Sequence, residues 1–288
     1  MAERPGPWSS GRFDVEGHRG ARGLVPENTV PSFRHAIDAG CTGVELDVRL
    51  TADGHVVVWH DPTLQADKCL FTSDDYADAR VDDLTLAQLR TVDVGTRTLA
   101  AFPEQRPAPG AGIVTLAELF AACADAAELW WTVEVKVDPR DTREVATRRQ
   151  LTEGVVAAIQ GAGLQDRSFV HSFDWAVLEI AAELDPTLWR SALAMPVGTH
   201  GPVNDWLGSI RIEDFGDDLP GAAAAVGAVV LSPFTAMVTA HLVDRAHEVG
   251  LAVLPWTAND PAEIRRLVDL GVDGLVTDYP ERALAIIG

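Results

Sequence analysis

Short apolar runs alternate with helical patterns along almost the whole chain, and this alternation limits the folds it can adopt. Strands separated by helices pair in parallel, because each helix returns the chain to the same end of the sheet. Eight such runs occur in the 288 residues, starting near positions 13, 43, 131, 167, 188, 226, 251 and 273. A closed (β/α)8 barrel needs eight strands. We therefore predict an α/β TIM barrel that occupies residues 1–288 as one domain.

One segment interrupts the alternation. Residues 61–112 show weak periodicity apart from a short helical pattern at 84–90, and they are rich in proline and glycine toward their end. We predict a small insertion after the second strand of the barrel rather than a second domain. A doubly wound open sheet is the alternative fold, but neither a strand–GxGxxG–helix unit nor a P-loop occurs.

Charged residues occupy the predicted strands in an unusual pattern. Glu45 and Asp47 lie two apart in the second strand, and Glu134 and Lys136 lie two apart in the third. Residues two apart in a strand share one face, so each pair points to the same side. His18 and Arg19 end the first strand, and barrel enzymes carry their sites at the carboxyl ends of strands. We expect these groups to meet at one rim.

The acidic members of this set are suited to a metal ion. Glu45, Asp47 and Glu134 offer only oxygen ligands, which hard cations such as Ca²⁺ or Mg²⁺ prefer, with Mn²⁺ as a further candidate. The simpler alternative is a set of salt bridges to Arg19 and Lys136. Three acids converging on one lumen favour one bound divalent cation over that alternative.

Two histidines lie at ends of apolar runs beside the acidic cluster. His18 and His60 are candidates for proton transfer, because imidazole titrates near neutral pH. His171, near the end of the fourth strand, is a weaker candidate for a supporting role. Trp256 ends the strand near 251, where it either packs in the core or lines an apolar arm of a ligand.

Composition excludes some functions. The formal net charge is −20, which argues against nucleic acid and anionic membrane surfaces as partners. No apolar run is long enough to span a membrane, and the first residues do not resemble a signal peptide. Cys41, Cys69 and Cys123 form no CxxC pair and fit a reducing compartment, so we expect a cytoplasmic protein. The sequence carries no signal for an oligomeric state.

Several sequence motifs together resemble the glycerophosphodiester phosphodiesterase family. They occur in order from one end of the chain to the other: GHRGARGLVPENT at 17–29, GVELDVRLTADGHVVVWHD at 43–61, VDDLTLAQLR at 81–90, IVTLAEL at 113–119, VEVK at 133–136, HSFD at 171–174, PWTAND at 255–260 and GVDGLVTDYPERAL at 271–284. The combination is far more specific than any single short motif.

The resemblance implies a (β/α)8 barrel with an insertion after the second strand. It also implies metal-dependent hydrolysis of a small glycerophosphodiester to sn-glycerol 3-phosphate and an alcohol. By position in the motifs, His18 and His60 match the acid–base pair, and Glu45, Asp47 and Glu134 match the metal ligands. Arg19 and Lys136 match residues near the phosphate, and Trp256 matches an aromatic on the substrate side.

The chain departs from the family pattern in a few places. Val114 stands where the family usually has proline, and residues 65–80 and 198–221 match no known motif. We expect these two segments to shape the pocket for the leaving alcohol.

Three other functions compete with this interpretation. A phospholipase D-like hydrolase of lysophospholipid or sphingolipid head groups would share the barrel and the two histidines. A glycosidase using Glu45 and Glu134 would leave the histidines without roles. A non-catalytic phosphoester-binding barrel would not require the catalytic residues of the family motifs, whereas all of those positions are filled here.

Overall fold

A computed structural model describes residues 5–72, 76–196, 199 and 201–288. Its nine strands within those residues are β1 (Asp14–His18), β2 (Gly43–Leu50), β3 (Val56–Val58), β4 (Trp130–Val135), β5 (Ser168–Ser172), β6 (Trp189–Ala194), β7 (Val230–Pro233), β8 (Ala252–Val253) and β9 (Gly274–Thr277).

Eight of these strands form the predicted barrel. They are parallel and follow the order β8-β7-β6-β5-β4-β2-β1-β9, while β3 pairs antiparallel with β2. Backbone bonds between the two end strands complete the ring, from Asp273 N to Val253 O at 3.1 Å and from Val276 N to Pro255 O at 3.0 Å. The (β/α)8 prediction is confirmed.

Helices connect successive barrel strands. The α-helices of the described residues are α1 (Val30–Ala39), α2 (Leu86–Leu89), α3 (Leu116–Ala122), α4 (Thr142–Ala162), α5 (Trp175–Leu184), α6 (Leu219–Ala225), α7 (Ala240–Glu248), α8 (Pro261–Asp269) and α9 (Pro280–Ile287). Thr29 caps α1 by accepting a hydrogen bond from Ser32 N, and Gly40 ends it in a left-handed conformation. None of the helices described here is both long and apolar enough to cross a bilayer.

Alternation along the strands separates the core from the lumen. Val44, Leu46 and Val48 of β2 are fully buried in the main apolar core. Val133 and Val135 of β4 join them there. The residues between these aliphatics point the other way, because successive strand side chains alternate. The acidic residues of β2 and β4 are therefore directed into the barrel interior.

The insertion has a small core of its own. Its apolar side chains pack with Val57 and Trp59 into a cluster separate from the main core; they include Leu64, Cys69, Val81, Leu89, Val92 and Ile113. The insertion also touches the loop after β1, since Gln105 Nε2 donates to Arg22 O at 2.6 Å. The segment therefore covers one side of the barrel mouth.

Several predicted boundaries were wrong. The strand expected from 226 begins at Val230, because α6 precedes it, and β8 is limited to Ala252–Val253. The second strand continues to Leu50, so Glu45 and Asp47 lie within it. Within residues 198–221, which match no family motif, the described part holds 3-10 helices at Val203–Asp205 and Ile212–Phe215 and the start of α6. Residues 198 and 200 lie outside the described residues.

The N-terminal segment packs against the barrel through an aromatic stack. Residues 1–4 lie outside the described residues, and Pro7–Ser10 form a 3-10 helix. The Trp8 ring stacks on Phe169 with centroids 5.9 Å apart, and Phe169 stacks in turn on Trp130. Trp131 is buried in the main core, whereas half-buried Trp130 belongs to this smaller cluster.

Candidate active site

A cavity of about 280 Å³ opens at the carboxyl ends of the barrel strands. All but one of the predicted site residues line it, together with several others: His18, Arg19, Arg22, Glu45, His60, Glu134, Lys136, His171, Phe173, Leu193, Met195, Trp256, Thr257 and Val276. The remaining predicted residue, Asp47, is fully buried directly beneath this set and pairs with Arg19 and Lys136. The structure therefore brings the eight predicted residues into one site.

The carboxylate cluster is built by strand register. Glu45 of β2 lies beside His18 of β1, and Asp47 lies beside Glu134 of β4. One carboxylate oxygen from each of Glu45, Asp47 and Glu134 lies within 4.8 Å of the others. Parallel pairing in this register places three acids from two adjacent strands around one point.

Two cations lie against this cluster. Lys136 Nζ is 2.9 Å from Asp47 Oδ1 and 2.6 Å from Glu134 Oε1. Arg19 Nε is 3.1 Å from Asp47 Oδ2. Burial disfavours the charged form of Asp47, but Lys136 and Arg19 outweigh it and hold the pKa of Asp47 well below its usual range. Asp47 is therefore a permanent anion between two cations.

Glu45 is in a different electrostatic position. Its Oε2 accepts a hydrogen bond from Arg19 N at 3.1 Å, but its buried Oε1 has no hydrogen-bond partner among the described residues. Burial, and after it the charges of Asp47 and Glu134, raise the pKa of Glu45 well above its ordinary value. Burial also raises the pKa of Glu134. An additional cation beside these carboxylates would relieve both effects, so the donor set fits a divalent metal ion.

Asn28 supports the cluster from the loop after β1. Its Nδ2 donates to Asp47 Oδ2 at 2.7 Å, and its Oδ1 accepts from Asp47 N at 3.3 Å. The backbone of Asn28 is left-handed, with φ 56°. Asparagine tolerates that conformation better than most residues, which explains why it occupies this position in the motif at 17–29.

His18 is oriented by an acid from the other end of the chain. Its Nδ1 donates to Asp278 Oδ1 at 2.7 Å, and its Nε2 lies 3.8 Å from Glu45 Oε2. Asn259 Nδ2 donates to the second oxygen of Asp278 at 2.6 Å. Burial lowers the pKa of His18, although Asp278 acts in the opposite direction. Nδ1 is thus occupied and Nε2 faces the carboxylate cluster.

His60, which also lines the cavity, has a similar arrangement. Its Nδ1 lies 2.9 Å from Asp61 Oδ1, and Lys68 Nζ lies 2.5 Å from Asp61 Oδ2. Lys68 also contacts Glu27 Oε1 at 2.9 Å. Burial, together with Lys136 and Arg19, lowers the pKa of His60 to about 3. The imidazole is neutral at physiological pH in this environment.

The aromatic wall consists of Trp256 and Phe173. Trp256 Nε1 donates to Ser232 O at 3.0 Å, and its ring meets Phe173 edge to face with centroids 5.3 Å apart.

His171 is buried and its Nδ1 lies 2.8 Å from Ser191 Oγ. Burial, and after it the charge of Lys136, lowers the pKa of His171 to about 3. His171 lies in the wall of the cavity as a neutral group.

Sequence reasoning assigned no role to several partners of the predicted residues. Asn28 and Asp278 occur within the quoted motifs, as do Glu27 and Asp61, so their spacing could have indicated a role. Lys68 lies in a segment without a recognisable motif, and its place beside Asp61 depends on how the insertion folds. The chain has only two lysines, Lys68 and Lys136, and both lie in this site.

This rim cavity and its chemistry place the chain among the (β/α)8-barrel hydrolases of phosphoric diesters. Residues 18–282 match the model described as the glycerophosphoryl diester phosphodiesterase family, and the chain belongs to that family. The resemblance inferred from the sequence motifs is thereby confirmed.

Individual relatives agree with this assignment. The glycerophosphodiester phosphodiesterase of Caldanaerobacter subterraneus subsp. tengcongensis is 28% identical over 273 residues, which cover 95% of this chain and 97% of the relative. A Silicibacter pomeroyi DSS-3 structure, provisionally classed as a glycerophosphoryl diester phosphodiesterase, is 35% identical with a TM-score of 0.85 and covers 96% of this chain and 92% of that chain. An Oleispira antarctica phosphodiesterase has the same fold at 22% identity, with a TM-score of 0.76 and coverage of 96% and 98%.

Proposed function

We propose that this protein hydrolyses glycerophosphodiesters to sn-glycerol 3-phosphate and an alcohol, with one divalent cation and two histidines. One observation carries the proposal: two imidazoles with carboxylate-bound Nδ1 atoms line the same cavity as the buried acids and Lys136. The Oleispira antarctica phosphodiesterase is described in complex with the product sn-glycerol-3-phosphate. We extend that product to this chain as part of the proposal.

Glu45, Asp47 and Glu134 would hold the cation, with Ca²⁺ or Mg²⁺ preferred and Mn²⁺ as an alternative. A bound divalent ion neutralises the phosphodiester anion and the charge that develops on it during reaction. The partnerless Oε1 of Glu45 is the group that supports this assignment most directly.

Arg19 and Lys136 would bind the phosphate from the cavity wall. Arg19 is buried, Lys136 is partly buried, and both pair with Asp47, so their positions are determined before substrate arrives. Arg19 is also held by Glu27, whose Oε1 accepts from Nη1 at 2.9 Å. Positively charged groups that are already in place stabilise developing negative charge without reorganisation.

His18 and His60 would transfer the protons. With Nδ1 of each ring bound to an aspartate, Nε2 is the nitrogen available to the substrate. One imidazole deprotonates the attacking oxygen, which is either water or the glycerol 2-hydroxyl, and the other protonates the departing alkoxide. General acid–base groups typically contribute ~10²–10⁴-fold each. The lowered pKa of His60, caused first by burial, favours its neutral form before substrate binds.

Other parts of the proposal concern the whole chain. We propose that residues 1–288 act as one catalytic domain with a small-molecule partner. The three cysteines are unpaired, which supports the prediction of a reducing, cytoplasmic location.

Release of sn-glycerol 3-phosphate from a panel of glycerophosphodiesters, with and without Mg²⁺, Mn²⁺ or Ca²⁺, tests the function. We expect release that depends on the metal. Choline release from lysophosphatidylcholine without hydrolysis of glycerophosphocholine would instead support a phospholipase D-like hydrolase. Recovery of every diester intact would support a non-catalytic binding protein.

A further inference from the structure

A second and larger cavity, of about 920 Å³, lies beside the catalytic cavity. Phe173, Leu193 and Met195 line both, so the two share a wall. We call the larger one the side chamber. Its far wall comes from the segment that matches no family motif, including Val203, Trp206 and Leu207.

The side chamber is apolar on the inside. Leu207 and Ile212 are buried, and Val203, Leu219 and Met237 pack against the main core. Among its charged lining residues, Arg245 contacts Asp218 at 2.8 Å, Glu213 accepts from Asn204 Nδ2 at 2.8 Å, and Asp217 is exposed to solvent. The interior therefore offers apolar contact rather than a charged binding site.

A row of aromatic rings connects the two cavities. Phe173 meets Trp256 of the catalytic cavity with centroids 5.3 Å apart, and it meets Trp206 of the side chamber with centroids 6.3 Å apart. Lys136 Nζ lies 5.9 Å from the centre of the Phe173 ring. A ligand whose phosphate sits beside Lys136 would therefore meet Phe173 and could continue past it into the side chamber.

We propose that the side chamber binds a single aliphatic chain carried by the leaving alcohol of the substrate. This inference rests on the proposed function, in which the compact glycerol 3-phosphate half occupies the catalytic cavity and leaves the alcohol to extend beyond it. A choline-sized group would fill little of the chamber, because cavities of ~300–1,000 Å³ bind drug-sized ligands.

The substrate class is thus a glycerophosphodiester of a long-chain alcohol. The net reaction adds water: a P–O bond forms to the attacking oxygen, the P–O bond to the alcohol breaks, and the alcohol oxygen takes a proton. The products are glycerol 3-phosphate and the free long-chain alcohol. No oxidant, reductant or second substrate besides water is required.

A series of sn-glycero-3-phosphoalcohols tests the proposal on the metal-loaded enzyme. Ethanol, butanol and octanol esters differ only in chain length, and the octanol ester is used below the concentration at which it aggregates. We expect kcat/KM to rise by about tenfold or more from ethanol to octanol, because each buried methylene adds favourable transfer free energy. Equal kcat/KM across the series would overturn the proposal.

A matched pair of variants locates the effect. Val203→Glu puts a charge into the side chamber, whereas Val145→Glu makes the same change at an exposed position on α4 that lines no cavity described here. We expect Val203→Glu to lower kcat/KM for the octanol ester about tenfold and to leave the ethanol ester within twofold of the wild type. Val145→Glu should leave both unchanged. An equal loss on both esters with Val203→Glu would contradict the assignment.

The remaining outcomes separate this inference from the proposed function. If Val203→Glu fails to fold, judged by circular dichroism, the chain-length series of the wild type decides alone. A chain-length dependence found only with 1-acyl-glycerophosphocholines, whose chain is on the glycerol, would overturn the assignment to the leaving alcohol. Release of glycerol 3-phosphate from the ethanol ester with no gain for octanol would retain the proposed function and reject the inference. No release from any ester would reject both.

Discussion

The His18 imidazole and the Asp278 carboxylate, 260 positions apart in sequence, form a 2.7 Å hydrogen bond across the first and last strands of the barrel. Asp278 is itself held by Asn259, and His18 in turn reaches toward Glu45. This contact determines which nitrogen of His18 faces the cavity. It exists because β9 pairs directly with β1, so the orientation of His18 depends on the pairing of the first and last strands of the chain.

Asp278→Asn tests this positioning role. The amide has almost the same shape, but its nitrogen is a donor and no longer favours a proton on His18 Nδ1. We expect kcat to fall by about 100-fold with little change in KM, and the pH dependence of kcat to shift. Asp38→Asn, at an exposed position of α1, is the control. An unchanged pH profile with unchanged kcat would show that Asp278 is not needed to orient His18.

Replacing the two catalytic histidines one at a time should show which is the acid and which is the base. His18→Ala and His60→Ala should each lower kcat by at least about 100-fold on an alkyl ester while circular dichroism and Tm change little. A p-nitrophenyl ester needs no protonation of its leaving group, so the variant that lacks the acid should recover on that substrate. His55→Ala changes an exposed histidine and should behave as wild type. Near-wild-type rates for both site variants would contradict the two-histidine proposal.

Glu45→Gln separates metal binding from folding. Because burial raises the pKa of Glu45, its carboxylate is costly in the metal-free protein, and the amide should leave the metal-free Tm equal or higher. Mg²⁺, Mn²⁺ or Ca²⁺ should raise the Tm of the wild type but not that of the variant. The kcat of the variant should be about 100-fold lower than that of the wild type. Glu153→Gln, at an exposed position of α4, should keep both. Wild-type activity in excess chelator would remove the metal from the mechanism.

A buried carboxyl at the other end of β1 should make the stability of the protein depend on pH. Asp14 is fully buried beside Thr42, and burial raises the pKa of its carboxyl to about 7. The folded state therefore binds this proton more tightly than the unfolded chain, whose carboxyl titrates near 3.9. The resulting stability is complete below that unfolded value and is lost as the pH rises through about 7.

The stability of the Asp14→Asn variant relative to wild type should accordingly increase as the pH rises. Relative to wild type, we expect its free energy of unfolding to improve by about 3 kcal/mol between pH 5 and pH 9, measured by urea denaturation. Asp38→Asn should show no comparable trend. A difference between Asp14→Asn and wild type that stays constant with pH would show that the native Asp14 does not retain its proton.

The motifs predicted the principal groups of the site because each is local in sequence. Glu45 and Asp47 share a face by strand alternation, and Glu134 and Lys136 do the same at the end of the next barrel strand, β4. The structure brings them together as predicted, while their roles remain proposals. The wrong boundaries, such as the short β8, arise because the apolar residues that flank a barrel strand have the same composition as the strand itself.

The sequence by itself determined the barrel, through eight repeats of strand and helix, and it determined the acids and histidines, through side-chain type at fixed spacing. Tertiary structure decided which groups become partners. Lys68 meets Asp61 only through the fold of the insertion, and among the described residues the side chamber shares Phe173, Leu193 and Met195 with the catalytic cavity. Such contacts depend on loop paths and strand closure, which bring together residues far apart in the chain and leave no periodic signal in its composition.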